Sequence, residues 1–382
     1  MTKGQGKPRI LLITRNFPPL TGGMERLMHK AAQGLDEWAE LTIIGPTGSG
    51  KHSPPGVPVS EAPPSLISFM LWALWHVLRL CRHGKYDVVL GGSGLVAPLL
   101  WLASKLSKSP SAVFIHGLDI VVDNALYQRL FVPAVAAADQ VIANSSNTRN
   151  LAISKGVAAE RITVINPGTE LPDLESLEAR DSFCKRYAIP FDKIILFVGR
   201  MTRRKGLSAF IKHSLPSILE ASPGAGLVVI GDNPDQGLTS HGEQEQVLKA
   251  VQQAKLEDHV RFLGAIADED LLAGYAVADV QIFPLVDVPG DVEGFGMVAI
   301  EAAACGTPTV AFNTGGVADA ISAANGALAP TNDYKQLSRL LLDVIDTGHP
   351  QPDSCISHAA AYAWPAYSAK LRSTLTSIGL RQ

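Results

Sequence analysis

The sequence predicts an α/β protein made of two Rossmann-like, doubly wound domains facing a central cleft. Three observations carry that expectation. The chain has 382 residues, a length that suits two domains. Short apolar runs alternate with helix-length amphipathic stretches along most of it. The alternation halts at one polar segment holding Pro172 and Pro190, then begins again. With 46% apolar and 18% charged residues, the composition suits well-buried sheets rather than disorder.

In the first half, "RILLIT" (9–14), "LTIIG" (41–45), "YDVVLG" (86–91), "SAVFIHG" (111–117), "QVIANS" (140–145) and "ITVINPG" (162–168) read as strands. Most run into Gly, Asn or Ser, as in doubly wound sheets whose strand C-termini carry the ligand loops. The second series is "KIILFVGR" (193–200), "GLVVIGD" (226–232), "VRFLG" (260–264), "VQIFPL" (280–285) and "PTVAF" (308–312). The domains are accordingly 1–170 and 191–352, with a linker at 171–190 and C-terminal helices at 353–382. Facing strand ends would make the preferred ligand cleft.

Several classes of function are excluded. No window reaches the roughly 18 uninterrupted apolar residues needed to cross a bilayer, and the N-terminus lacks a signal-peptide apolar region. The expectation is a soluble, cytoplasmic protein. Cys81, Cys184, Cys305 and Cys355 lie far apart without a C-x-x-C pair, which disfavours structural zinc and a disulfide framework and favours buried thiols. Net charge is −3. Residues 1–180 carry 17 Lys and Arg against 14 Asp and Glu, the remainder 16 against 22, too slight an asymmetry for nucleic acid. The apolar stretch "SLISFMLWALWHVLRLCR" (65–82) reads as a helix packed on the sheet; Trp72 and Trp75 keep open a face that touches membrane.

The most conspicuous motif is "GPTGSGKH" (45–52), which has the G-x-x-x-x-G-K spacing of a phosphate loop. A working phosphate loop leads directly into a helix whose N-terminus faces the phosphates. Here Pro54 and Pro55 follow, and His52 stands where a hydroxyl would meet a magnesium ion. A Gly-rich, flexible turn at a strand end explains the stretch better. A stronger phosphate cradle is Gly22-Gly23, after the first strand and before a helical pattern over 24–35. In "FVGRMTRRKGL", Arg200 and Lys205 follow a strand and are suited to a diphosphate, whereas Arg203 and Arg204 read as a solvated turn. In "DVEGFGMVAIEAAACG", Glu293 falls in a loop and Glu301 in the helix behind it. Gly294 and Gly296 free the backbone between them to donate to an anion. Small apolar neighbours make Glu301 a carboxylate buried against a ligand. "DED" at 268–270 reads as a helix cap rather than a metal site.

"EGFGMVAIE" resembles the E-x7-E motif of retaining glycosyltransferase family 4, whose members have the GT-B fold. "VGRMTRRKG" resembles that family's G-R-x(4)-K-G element, and "VRFLGAIADEDLLAGYAVADVQIFP" the segment leading to E-x7-E. "GGME", "HGLD" and "ACGTPTVAFNTGG" fall in the family's order, so the resemblance covers nearly the whole chain. The acidic insert "VDVPGD" is similar to the phosphatidylinositol mannosyltransferase subgroup. "NPGTE" (166–170) departs from the family's Asn-Gly-Val-Asp and puts that linker contact in doubt.

The resemblance implies a hexosyltransferase that uses a UDP- or GDP-sugar, GDP-mannose favoured, on a glycan or lipid-linked acceptor in cell-envelope glycan or glycolipid synthesis. It implies that 1–170 is the acceptor domain, that 191–352 binds the nucleotide sugar, and that 353–382 crosses back to the N-terminal domain. Arg200 and Lys205 would bind the diphosphate, so that no metal or other cofactor is required. Glu301 would take the ribose hydroxyls and Glu293 those of the sugar, with backbone of Gly294, Phe295, Gly296 and Met297 close by. Backbone of Leu263, Gly264, Ala265 and Ile266 would face the base. Gly22 and Gly23 would approach the diphosphate, His116 the sugar near its reacting carbon, and Asp119 the acceptor side. The partners expected are donor, acceptor and a peripheral contact with the inner membrane face through the N-terminal domain, with no nucleic acid. The alternatives are a non-catalytic sugar-nucleotide-binding scaffold or regulator, and a phosphate-loop NTPase dependent on Lys51.

Overall fold

The computed structural model describes residues 6–83, 86–231 and 242–379. The first five residues, and Asp232 at the end of the expected strand 226–232, lie outside the described residues. The chain divides into two compact units, Met1–Gly168 with Trp364–Gln382, and Thr169–Ala363.

The first unit holds seven strands: β1 (Arg9–Ile13), β2 (Glu40–Pro46), β3 (Val59–Ala62), β4 (Val88–Gly91), β5 (Ser111–Ile115), β6 (Gln140–Ala143) and β7 (Ile162–Val164). They lie in the order β3-β2-β1-β4-β5-β6-β7, with every pairing parallel. The central strands are buried on both faces, which explains why they read as continuous apolar runs rather than alternating ones. One face packs Leu11, Ile13, Val89, Val113 and Val141 against Phe69, Ala73 and Val77 of the helix Leu66–His83. The last helix, Trp364–Ser377, packs against Gly23–Asp36 of the same unit.

The second unit continues with β8 (Lys193–Val198), β9 (Ala225–Ile230), β10 (Val260–Gly264), β11 (Val280–Phe283), β12 (Thr309–Phe312) and β13 (Gly326–Ala329). Their order is β10-β9-β8-β11-β12-β13, again wholly parallel. Both sheets place β1 or β8 at the point where the winding reverses, so the loops after these strands sit where a doubly wound sheet binds its ligand. The segment 171–190 contains the helix Arg180–Arg186, whose Phe183 is buried beneath β8 and the helix Asp268–Val277. The helix Pro352–Ala360 packs on Met297–Ala304 within this unit.

All four cysteines are free thiols. Burial pushes Cys81 up to about 11, and Cys305 and Cys355 up to about 12. Among the described residues no helix is long and apolar enough to cross a membrane.

Candidate active site

In the second unit the loop after β8 carries the basic residues. Gly199 and the exposed Arg200 leave the strand, Thr202 turns inward, and a single 3-10 turn, Arg203–Lys205, follows. Gly206 closes that turn at φ 68°, and a Cβ there would collide with the Pro284 carbonyl oxygen. Only glycine allows the β8 loop to lie this close to the chain leaving β11. The contact is reinforced by the Val286 amide, which donates to the Arg204 carbonyl at 2.9 Å.

That close approach brings Lys205 and Glu293 together. Lys205 is only 9% exposed, with Nζ donating to Glu293 Oε2 at 2.8 Å and lying 4.6 Å from the centre of the Phe283 ring. Arg204 donates from Nη1 to the same carboxylate oxygen and from Nε to Asp291 Oδ1 at 2.9 Å. Arg203 is exposed, as a solvated turn residue should be; Arg204 is not, and here the structure corrects the expectation from sequence. An ion pair spanning almost ninety residues leaves no local trace in the sequence.

Burial works against the Glu293 carboxylate, but the attraction of Lys205 and Arg204 outweighs it and holds the group down at about 2. Lys205 moves the other way from what one carboxylate partner would give. Burial lowers it, Glu293 only partly offsets this, and the charges of Arg204 and Arg200 lower it further. The asymmetry is physical, since Glu293 faces two cations while Lys205 shares its carboxylate with an arginine.

Glu293 is also fixed through its backbone, whose carbonyl accepts from the Gly316 amide at 2.9 Å. Gly294 and the buried Phe295 lead to Gly296, the φ 88° residue preceding the helix Met297–Ala304. Glu301 lies on that helix, half-buried, and accepts from the Tyr275 hydroxyl at 3.2 Å. Leu263 and Ile266 pack into the core beside β8 while Ala265 is exposed, and the Gly264 carbonyl accepts from the Gly231 amide at 2.9 Å. Residues 268–270 do not cap their helix. Its N-cap is Ala267, without a side-chain bond, and the three acids sit in the first turn, where the dipole favours them. Asp270 instead accepts from Arg186 and from the Tyr187 hydroxyl, each at 2.7 Å.

In the first unit, Gly22 (φ 153°) precedes the helix Gly23–Asp36, and Gly23 is its first residue. Glu25 stands in the first turn and accepts from Asn16 Nδ2 at 2.9 Å. His116 follows β5, buried, with Nε2 2.8 Å from the Gly92 carbonyl oxygen. Asp119 is a structural carboxylate, whose two oxygens accept from the His116 amide at 2.8 Å and the Gly94 amide at 2.9 Å. It ties the β4 and β5 loops together and so fixes the histidine backbone.

The phosphate-loop look-alike is occupied from within. The amides of Gly48 and Gly50 both donate to Glu61, each at 2.9 Å, and these bonds lower the Glu61 carboxyl. A carboxylate from β3 thus fills the nest where a phosphate would lie, and only a 3-10 turn, Ser49–Lys51, follows Gly48. The loop is pinned rather than flexible, with Ser49 Oγ donating to the Pro46 carbonyl at 2.5 Å.

Comparison with known proteins extends this picture. Residues 183–361 match the family described as "Glycosyl transferases group 1", and residues 21–171 match "Glycosyltransferase Family 4". D-inositol 3-phosphate glycosyltransferase of Mycolicibacterium smegmatis is 30% identical over 328 residues, 81% of this chain and 71% of that protein. A GDP-mannose-dependent alpha-(1-6)-phosphatidylinositol monomannoside mannosyltransferase of Mycobacterium tuberculosis is 27% identical, covering 82% of each chain. Among solved structures, Anabaena HepE in complex with UDP and glucose superposes with a TM-score of 0.76 at 20% identity, over 97% of this chain and 100% of that one.

Proposed function

This chain belongs to glycosyltransferase family 4 and has the GT-B fold, and from these premises we propose that it is a retaining hexosyltransferase. Its donor is a UDP- or GDP-sugar, with GDP-mannose favoured because one relative is named for it. Its acceptor is a glycan or lipid-linked molecule of cell-envelope glycan or glycolipid synthesis, reached at the cytoplasmic face of the membrane.

The observation that carries this proposal is the buried Lys205 at the C-terminal edge of the second sheet, paired with Glu293 beside the exposed Arg200. Arg200 and Lys205 neutralise the diphosphate and the charge that grows on it as it leaves, an electrostatic contribution of the kind that usually dominates catalysis. With these two cations the reaction needs no metal ion. Glu301 accepts from the ribose hydroxyls, Glu293 and the backbone of 294–297 hold the sugar, and the backbone of 263–266 faces the base. The acceptor hydroxyl attacks the anomeric carbon on the face from which the phosphate departs. As the carbon–phosphate-oxygen bond breaks, the leaving oxygen takes the hydroxyl proton.

Nucleotide binding stabilises the fold by mass action. In a thermal-shift panel of UDP, GDP, ADP and their sugars, one nucleoside diphosphate and its sugar should raise Tm clearly above the others. A flat panel overturns the donor assignment. Glu293→Ala should abolish transfer; an unchanged rate removes Glu293 from the proposed site.

Support for the membrane-side acceptor comes from the helix Leu66–His83. Its buried face holds Phe69, Ala73 and Val77, while Ile67 (75% exposed), Leu71 (64%), Trp72 and Trp75 (51%) face outward, followed by exposed Arg79 and Arg82. Aromatic and cationic groups in this arrangement suit an anionic lipid interface. Wild type should co-sediment with phosphatidylglycerol-containing vesicles, and Trp72→Ser/Trp75→Ser should not. Equal sedimentation of both proteins refutes the contact.

A further inference from the structure

The pair Arg204–Asp291 has no role in the activity just described, yet it is built into the same cluster. We propose that Arg204 and Asp291 are positioning residues that balance the charge around Glu293 and free Lys205 to exchange its carboxylate partner for the donor's diphosphate; this rests on the donor assignment made above.

One carboxylate oxygen of Glu293 receives both Lys205 and Arg204. The two cations are not equivalent partners. Arg204 is held at three points, by Glu293, by Asp291 at 2.9 Å, and through its own carbonyl by the Val286 amide. Its planar fork fixes direction, and its side chain is only 13% exposed. Asp291 is fixed in turn by an antiparallel bridge to Val288. Among the described residues Lys205 is ion-paired with Glu293 alone, and its four-carbon stem is flexible, so it is the group able to move.

The charge count shows why the pair is needed. Lys205, Arg204, Glu293 and Asp291 carry two positive and two negative charges. When Lys205 turns to a diphosphate, Arg204 remains on Glu293, so the carboxylate is neither left unpaired nor displaced from the sugar. Without Arg204, Lys205 is the one ion-pair partner left to Glu293 among the described residues, and Asp291 loses its own. Lys205 is then held where it is, and an incoming diphosphate meets one cation fewer and one uncompensated carboxylate more.

Charge balance and a merely structural role differ in what they do to ligands of different charge. Binding should be measured by calorimetry on the full chain for a nucleoside, its monophosphate and its diphosphate, using the base selected by the thermal-shift panel. Arg204→Gln should weaken the diphosphate by about tenfold or more, the monophosphate less, and the uncharged nucleoside hardly at all. Asp291→Asn leaves one cation in excess and should keep diphosphate binding at or above the wild-type level. The double variant Arg204→Gln/Asp291→Asn removes the unpaired Asp291 charge but still leaves Glu293 without a second cation, so diphosphate binding should recover beyond the sum of the single effects yet stay short of wild type.

Arg204→Lys retains the charge but loses the fork; its diphosphate Kd should hold while kcat falls, because Glu293 is no longer aimed. Thermal melts check that each variant is folded; if Arg204→Gln is not, Arg204→Lys and Asp291→Asn carry the test. Additive losses in the double variant, or equal losses for nucleoside and diphosphate, overturn the proposal. If wild type binds no nucleoside diphosphate, the donor assignment itself fails.

Discussion

Glu293 has a carboxyl group whose ordinary value is 4.5 and which the fold holds at about 2. A carboxyl depressed on folding stabilises the native state above its unfolded pKa, and that stabilisation is lost as pH falls toward the folded value. The window here runs from about pH 5 down to about pH 2, and the shift corresponds to about 3 kcal/mol at neutral pH. Urea unfolding of wild type should therefore lose stability through this range. Glu293→Gln should be less stable at pH 7 but show a shallower acid slope, and the two curves should converge toward pH 2. Parallel acid limbs in the two proteins would show that Glu293 is not the group being titrated. Glu293 and Lys205 could each be picked from the sequence through their motifs, but their pairing could not. Arg204 read as a solvated turn residue and Asp291 as part of an acidic insert, because what makes them matter is a neighbour 87 residues away.

At the scale of elements, the apolar runs proved reliable guides. β1, β2, β8, β10 and β12 coincide with expected runs to within a residue at each end, β8 apart from its last two. β1, β2, β8 and β12 do so because strands largely buried on both faces are mostly apolar, whereas β10 is a half-exposed edge strand whose apolar residues nonetheless mark it. The strands β3 and β13 went unread for opposite compositional reasons. "VSEA" at β3 is a half-exposed edge strand with a charge in it, and "GALA" at β13 has side chains too small to signal a strand. Missing β3 also hid the carboxylate that completes the 48–51 turn, so the turn looked free. Glu61→Gln should lower the hydrogen-exchange protection factors of the Gly48 and Gly50 amides, as should acidification through the carboxylate range once the slower intrinsic exchange at low pH is divided out, because both weaken the acceptor that protects them. Unchanged exchange at both amides would mean that some other contact holds the turn. Lys51→Ala should leave glycosyl transfer as it is, since the nest is filled by the chain's own carboxylate.

At the scale of the whole molecule, the first unit is completed by residues from both ends of the sequence. The chain leaves it at Gly168 and returns at Trp364, and the returning helix Trp364–Ser377 lies on the helix Gly23–Asp36. Gly34 is where the two helices meet most closely: a Cβ there would overlap the Ser368 hydroxyl and lie 2.9 Å from its Cβ. Around this contact Tyr367, Leu371 and Leu375 are buried, with Arg372 lying over the Trp38 ring at 5.3 Å and Lys30 over Trp364 at 5.9 Å. The Ser368 hydroxyl can rotate away but its Cβ cannot, so Gly34→Ala should already strain the helix contact, by about 1 kcal/mol, and Gly34→Leu should cost more, up to about 3 kcal/mol. The damage should remain local, because the second unit has its own sheet and its own core. Calorimetry of Gly34→Leu should accordingly show the first unit melting earlier. A second transition should still rise on adding the nucleoside diphosphate that stabilises wild type. A single transition lowered as a whole would show that the two units unfold as one cooperative body, so that the C-terminal helix secures the entire chain and not only the unit it completes.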